Sequence, residues 1–340
     1  MYISVNDTLQ LASKLTLKRL KNAWRIYRSY NSSRTSRKAS ISGMPISLSI
    51  EPTTSCNLRC PECPSGLRSF TRPTGMLSPE LFRKVIDEIG DTLFYLLFYF
   101  QGEPYLHPDF LDLVSYAAKK NIYTATSTNA HYLSDAKAKA TVASGLDRLI
   151  ISIDGTTQET YEAYRKGGKL EKVLDGTERI LHWRKKLKSR TPHVVWQFLV
   201  VRPNEHQIQE VEALAQRYGV DKVAFKTAQI YDYEKGNPLI PTLDKYARYK
   251  KQSDGTYRIK SKILNECWKM WHSCVMTWDG QIVPCCFDKD AAHPLGNLQT
   301  ETFEAVWQSS AYQDFRQQLL QGRDQIEMCK NCTEGTKVWA

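Results

Sequence analysis

Three cysteines near the front of the chain have the spacing of a reactive metal site. Cys56, Cys60 and Cys63 lie in EPTTSCNLRCPECPSG as C-x3-C-x2-C. Three thiolates so placed can hold three irons of a cubane cluster and leave the fourth open to a small molecule. A structural zinc site closes with four ligands, and no histidine lies close in sequence to complete it. A second group, Cys267, Cys274, Cys285, Cys286, Cys329 and Cys332, occupies the end of the chain and finishes in C-x2-C. Nine cysteines form an odd set, and the Met1 end lacks the apolar core and small-residue cleavage site of a secretory signal. Metal binding or catalysis in a reducing, cytoplasmic setting is therefore expected, not a disulfide framework.

Positioning such sites takes a sizeable core. The 340 residues are 41% hydrophobic and 24% charged, which excludes wholesale disorder. No apolar run approaches the roughly 18 residues of a spanning helix. Short β-prone runs at Ile46–Ile50, Tyr95–Phe100, Ile122–Thr126, Arg148–Ile153, Val194–Val201 and Lys222–Lys226 alternate with helical patterns. The helical patterns are Pro79–Ile89, Pro108–Lys119, Ser134–Ala143, Leu170–Leu187 and His206–Tyr218. This alternation predicts an α/β fold with a parallel sheet. Six βα units, not eight, predict a partial (β/α)6 TIM-like barrel with ligands at the carboxyl ends of its strands. The chain then divides into a basic arm (1–43), a barrel (44–230), a connecting segment (231–266) and a Cys-rich tail (267–340).

Of the net charge of +11, residues 1–43 hold +8, so the body is nearly neutral and a general nucleic-acid binder is not expected. Residues 8–30 read as an amphipathic helix. Lys14, Lys18, Lys21, Arg25 and Arg28 share one face, opposite Leu9, Ala12, Leu20, Ala23, Tyr27 and Tyr30. Either the apolar face packs on the body, or the helix lies on an anionic membrane surface or an acidic partner. Residues 31–43 (NSSRTSRKASISG) read as a flexible linker.

The C-x3-C-x2-C loop after a first strand, ahead of six βα units, resembles the radical S-adenosylmethionine (SAM) superfamily. Further motifs follow in order. Gln101-Gly102-Glu103-Pro104 resembles the GGEP motif that contacts the SAM amino group. Ser127-Thr128-Asn129 resembles the stretch that bonds its ribose or carboxylate. Ser152-Ile153-Asp154-Gly155 resembles an SxDG motif, and Arg165 stands where this branch keeps an arginine for the SAM carboxylate. The resemblance implies a SAM-binding 4Fe-4S cluster on Cys56, Cys60 and Cys63, with Gly102, Glu103, Ser127, Asn129, Ser152, Asp154 and Arg165 around the cofactor. Two departures are Glu62, where an aromatic residue is usual, and Gln101, where the motif has glycine.

The tail is similar to the SPASM/twitch extension of that superfamily through Cys267 with Trp271, Asp279-Gly280, Pro284-Cys285, Gly296-Asn297 and the closing Cys329/Cys332. Lacking the longer cysteine stretch of a full SPASM domain, it implies one auxiliary 4Fe-4S cluster on Cys267, Cys285, Cys329 and Cys332. A four-cysteine zinc site is the competing reading. Cys274 and Cys286 are left over. Cys286, Asp288, Lys226 and His272 are candidate acid–base groups, with no base assigned.

By resemblance, the chain is expected to cleave SAM reductively to a 5′-deoxyadenosyl radical that takes a hydrogen from a C–H bond. An auxiliary cluster would then accept an electron, for a net oxidation. A small sugar-like or alcohol substrate is expected, because the single-cluster tail resembles that of enzymes oxidising sugar or aminocyclitol alcohols, and residues 1–43 are too short for the peptide-binding domain common in peptide maturases. The alternatives are a ribosomal peptide and a membrane-surface or lipid-linked substrate. An electron donor such as flavodoxin or ferredoxin is the expected partner.

Overall fold

The structure, a computed structural model, describes residues 5–335. The Met1 end, read above as free of a signal, and residues 336–340 of the tail lie outside these. In chain order the elements begin with α1 (Val5–Ser13), α2 (Leu17–Ser36), β1 (Ser47–Ile50), α3 (Pro64–Leu67), α4 (Pro79–Ile89) and β2 (Tyr95–Leu97). There follow α5 (Phe110–Lys119), β3 (Tyr123–Thr128), α6 (Asp135–Ala143), β4 (Arg148–Ser152), α7 (Gln158–Tyr164) and α8 (Leu170–Lys186). The barrel closes its series with β5 (His193–Val200), α9 (Ile208–Tyr218) and β6 (Lys222–Thr227). Beyond it come β7 (Tyr249–Lys251), β8 (Tyr257–Ile259), α10 (Lys269–His272), β9 (Ser273–Met276), β10 (Ile282–Val283), α11 (Phe303–Gln308), α12 (Ser310–Gly322) and α13 (Glu327–Lys330).

Strands β1 to β6 pair in parallel in sequence order, giving the α/β partial barrel. Its helices follow local rules. In α4, Ser78 caps the backbone N–H of Leu81 at 3.1 Å, and Pro79 occupies the first turn. Phe82, Val85, Ile86 and Ile89 then fall on one buried stripe against the sheet.

The tail is built into this sheet. β9 pairs in parallel with β1, Ser47 opposite Ser273, and β10 returns antiparallel beside it. The sheet thus has eight strands in the order β10-β9-β1-β2-β3-β4-β5-β6, with β6 and β10 as free edges.

The arm differs from its sequence reading in three ways. Thr16 caps the N–H of Arg19, so the single helix expected over 8–30 is two helices. Its packed stripe is Arg19, Asn22, Ile26, Ser29, Tyr30 and Ser33; of the apolar face expected, Tyr30 is buried and Ala23 and Tyr27 pack against the core, while Leu9 and Leu20 are exposed. Arg19 fixes that choice, because its buried guanidinium donates to the carbonyls of Lys14, Gly90, Lys120 and Asn121. Residues 31–43 are not a flexible linker. α2 continues to Ser36, and Trp271 and Trp307 donate their indole N–H groups to the carbonyls of Ser40 and Gly43. α1 plugs the floor of the barrel: Asp7 accepts from Tyr123 and Arg148, while Gln10 and Lys14 bind Asp147.

Candidate active site

The C-x3-C-x2-C loop leaves the carboxyl end of β1 and is held there by backbone bonds. Arg59 N–H donates to Lys166 O at 3.0 Å, Glu103 N–H to Ser55 O at 2.8 Å, and Gly102 N–H to Ser65 Oγ at 2.8 Å. The three cysteines, Gly102, Glu103, Ser127, Asn129, Ser152 and Arg165 all line one cavity of about 120 Å³. Nine of the ten residues expected at the SAM site thus line it; the exception is Asp154, which reaches the site through another side chain.

Glu103 is buried at the end of the second strand, where its carboxylate accepts from Thr128 Oγ1 at 2.7 Å, Asn129 N–H at 2.8 Å and Tyr105 N–H at 3.2 Å. A carboxylate offers about four acceptor positions, so capacity remains for a donor in the cavity. Burial pushes its pKa up, and the bonds from Asn129 and Thr128 pull it back only in part. Asn129 lines the cavity instead of capping the next helix, which Ser134 does. Its Nδ2 donates to Asn57 Oδ1 at 2.8 Å and stands 3.9 Å from Cys56 Sγ.

Asp154 is fully buried and does not line the cavity. It binds Arg165 Nε at 2.5 Å and Leu199 N–H at 2.6 Å. Arg165 Nη1 in turn lies 3.7 Å from Cys60 Sγ. Asp154 is thus a positioning residue for the guanidinium.

The donor set fits a cluster with one open corner. Burial pushes the Cys56 thiol up to about 11 and raises Cys60, so metal must supply the charge that favours the thiolates. A Cβ on Gly66 would lie 2.6 Å from Cys60 N, so the loop closes only around glycine. A Cβ on Gly102, at φ +75°, would lie 2.1 Å from Thr53 O. Ser65, Gly66, Tyr99 and Phe100 were not singled out in the sequence. Gly66 carried a signal, since a glycine three residues past the last cysteine marks a close backbone approach.

In the tail, Cys267, Cys329 and Cys332 are buried, and Cys285 half-buried. The Cys267 charge bears on Cys285, Cys329 and Cys332. Arg323, buried, places Nη2 3.3 Å from Cys332 Sγ, and its pKa is raised: burial opposes its charge, but Cys267, Cys332 and Cys329 outweigh it. Gly335 packs on Cys267, where a Cβ would stand 2.4 Å from Sγ. Among the described residues, no three His, Cys, Asp or Glu side chains are grouped to hold a single metal ion.

The left-over groups separate. Cys274 sits buried on β9 in the core, opposite Leu48. Cys286 is exposed, and a hydrogen bond from Cys285 and then the Lys269 ammonium, against the effect of burial, lower its pKa to about 6. Asp288 is occupied by the N–H groups of Ala292 and His293 at 2.8 and 2.9 Å. His272 is half-buried beside Trp268 and held neutral, its pKa lowered to about 3 by desolvation and by Lys269. Lys226 is exposed on β6.

The connecting segment covers the cluster loop. Tyr231 N–H donates to Glu62 at 3.0 Å, so the residue that replaces an aromatic anchors this cover. Ile230, Ile240 and Tyr249 pack with Leu58, Cys60 and Tyr164. Between residues 229–236 and α13 lies a groove of about 590 Å³, walled by Tyr231, Tyr233, Lys235, Phe287, Glu327 and Lys330.

A parallel barrel with three cysteines on its first loop, and a cysteine-rich tail joined to its sheet, defines an iron–sulfur enzyme of the radical SAM type. The Radical SAM superfamily profile matches residues 50–217, and the SPASM iron–sulfur cluster-binding domain profile matches residues 267–333. The chain belongs to the radical SAM superfamily and carries a SPASM domain; its cofactors are a 4Fe-4S cluster, SAM and auxiliary iron–sulfur.

Among its relatives is the PqqA peptide cyclase of Gluconobacter oxydans, 24% identical over 87% of this chain and 84% of that protein. The tungsten-containing aldehyde ferredoxin oxidoreductase cofactor-modifying protein of Pyrococcus furiosus is 24% identical over 79% of this chain and 82% of its own length. The mycofactocin maturase MftC of Mycobacterium ulcerans is 31% identical, over 52% of this chain and 45% of its own. The fold is shared with Streptococcus suis SuiB bound to S-adenosylmethionine, at TM-score 0.62 and 14% identity over 93% of this chain and 77% of that one. It is shared also with BtrN in complex with AdoMet, at TM-score 0.53 and 17% identity over 87% and 95%.

Proposed function

We propose that this radical SAM enzyme modifies a peptide. The observation that carries the reading is the groove between residues 229–236 and α13, which is large enough for several side chains and opens to solvent. Its wall includes Phe287, the residue after Cys286 in the chain, and Met328 and Lys330, the residues on either side of Cys329. Lys235 and Lys330 against Asp232, Glu234 and Glu327 provide donors and acceptors for a peptide backbone. A relative named for peptide chemistry, the PqqA peptide cyclase, supports it, and a second is named a maturase, of mycofactocin. The preference for a small alcohol rested on the single-cluster tail and on the shortness of residues 1–43; of these, α1 and α2 pack on the body of the barrel, so the arm's length does not bear on the substrate.

When loaded and reduced, the first site supplies a 5′-deoxyadenosyl radical for hydrogen abstraction. The chain's own residues bind and orient. Glu103 takes the SAM ammonium, and Arg165, held by Asp154, faces its carboxylate and balances thiolate charge at Cys60. Ser127, Asn129 and Ser152 bond the remaining polar groups, and the 229–249 cover excludes water. Cys267, Cys285, Cys329 and Cys332 hold one auxiliary cluster as electron acceptor for a net oxidation, and a flavodoxin- or ferredoxin-type donor reduces the enzyme. A cofactor-type small substrate is the second reading, favoured by the Pyrococcus furiosus relative.

The test is an anaerobic assay of 5′-deoxyadenosine with loaded enzyme and SAM. A mixture of unstructured peptides is expected to raise release above the substrate-free rate and yield peptides lacking two hydrogens. Stimulation by sugar or aminocyclitol alcohols and not by peptides would overturn the proposal.

A further inference from the structure

Helix α2 carries three lengthwise stripes. One is buried against the body. The exposed half is divided between Lys18, Lys21, Arg25 and Arg28 on one side and Leu17, Leu20 and Trp24, at i, i+3 and i+7, on the other. Leu17 is 77% exposed, Leu20 48% and Trp24 58%. Leu9 on α1 and Leu15 in the intervening turn continue the apolar stripe. Of eleven large hydrophobic side chains exposed among the described residues, these five fall between positions 9 and 24. Lys21, Arg25 and Arg28 have no carboxylate partner among the described residues; Lys18 pairs with Asp91.

We infer that α1 and α2 form an interfacial anchor that docks the floor of the barrel on an anionic lipid bilayer. A Leu/Trp stripe beside a parallel row of cations matches the boundary between acyl chains and anionic headgroups. The stripe is exposed because the body is already served by the other side of the helix, through Arg19, Ile26 and Tyr30. Arg19 and Lys14 of the arm are spent on the body, and Lys18 and Arg34 are paired, which leaves Lys21, Arg25 and Arg28 as the row that faces outward.

The docked orientation follows from Arg19. Its bonds to Gly90, Lys120 and Asn121 place α2 at the amino ends of β2 and β3. Cys56, Cys60 and Cys63 lie at the opposite, carboxyl ends. The mouth of the site therefore faces away from the bilayer, and the anchored enzyme takes a water-borne substrate.

The experiment is co-sedimentation of the full chain with vesicles of phosphatidylcholine alone or mixed with phosphatidylglycerol, at low and high salt. Binding is expected to the anionic vesicles only and to fall with salt. Each basic side chain near such a surface contributes about fivefold to partitioning, so Lys21→Gln, Arg25→Gln and Arg28→Gln together weaken binding about a hundredfold. Leu20→Ser with Trp24→Ser weakens it about tenfold or more. These positions are exposed, so iron content and SAM cleavage remain those of the parent and report an intact fold. Brominated acyl chains quench tryptophan fluorescence in the parent and less in Trp24→Phe. No sedimentation, equal binding to both vesicle types, or binding unchanged in both variant sets overturns the inference. So does self-association that disappears in Leu20→Ser/Trp24→Ser without any vesicle binding.

Discussion

Replacing Glu103 by Gln separates folding from cofactor binding. In the folded chain the carboxylate accepts three hydrogen bonds but is cut off from water, and burial raises its pKa. A raised carboxylate pKa contributes stability that is present below the unfolded-state value and lost as pH rises through the folded-state value. At neutral pH the SAM-free protein therefore bears a cost that Gln removes. The amide turns its oxygen to Asn129 N–H and its NH2 to Thr128, whose hydroxyl can rotate to accept. Only the longer bond from Tyr105 N–H is then lost, at about 1 kcal/mol. The variant's urea midpoint without SAM should thus match or exceed the parent's at pH 7, with less dependence on pH. SAM binding should suffer instead, because a hydrogen bond between charged groups is worth about 1.5–3 kcal/mol, or roughly ten- to hundredfold in Kd. Anaerobic equilibrium dialysis of SAM and urea melts on the same preparations measure both. SAM affinity within about twofold of the parent would refute the placement of the ammonium on Glu103, as would a loss matched by an equal loss of folding stability.

Other substitutions test the remaining parts. Asp154→Asn keeps the bond to Leu199 N–H but frees Arg165; it should cost about 2–4 kcal/mol in urea melts and raise the Kd for SAM while leaving the iron content unchanged. Arg323→Gln removes a buried positive charge beside Cys332, so a redox titration should find the auxiliary cluster at a more negative potential and the first cluster unmoved. Cys274→Ser should keep all iron and lose about 1–3 kcal/mol, as expected for a hydroxyl placed in a dry core. Arg19→Met strands four carbonyls at the barrel floor and should cost about 3 kcal/mol or more by urea melt.

The barrel was legible because its signals are local. The pattern over Pro79–Ile89 carries its own cap, proline and apolar stripe, and the helix spans those residues. The cysteine loop and Glu103 were legible because the chemistry requires those residue types at fixed spacing. Their supports were not: Ser65 holds Gly102 across 37 positions, and no local pattern announces a partner so distant. The arm was misread because its packed stripe contains Asn22, Ser29, Ser33 and a buried arginine, while leucine and tryptophan face outward. Hydrophobic periodicity found only one edge of the packed face, Ala23, Tyr27 and Tyr30. The Ser-rich stretch 31–43 looked loose because its order comes from Trp271 and Trp307, more than 200 residues away. Parallel pairing of β9 with β1 is likewise non-local, so the tail read as an appendage when it extends the barrel's sheet. Asp154 was grouped with the cofactor contacts because spacing places a residue near a site without showing which way it points.

The most direct measurement is anaerobic. The chain is reconstituted, iron and sulfide are counted, and 5′-deoxyadenosine is assayed after reduction with SAM, with and without peptides. The account predicts about eight irons per chain in two cubanes, deoxyadenosine release that peptides accelerate, and loss of both release and about half the iron in Cys56→Ala. A loaded, reduced protein that releases no deoxyadenosine, or a Cys56→Ala variant that still does, would contradict it.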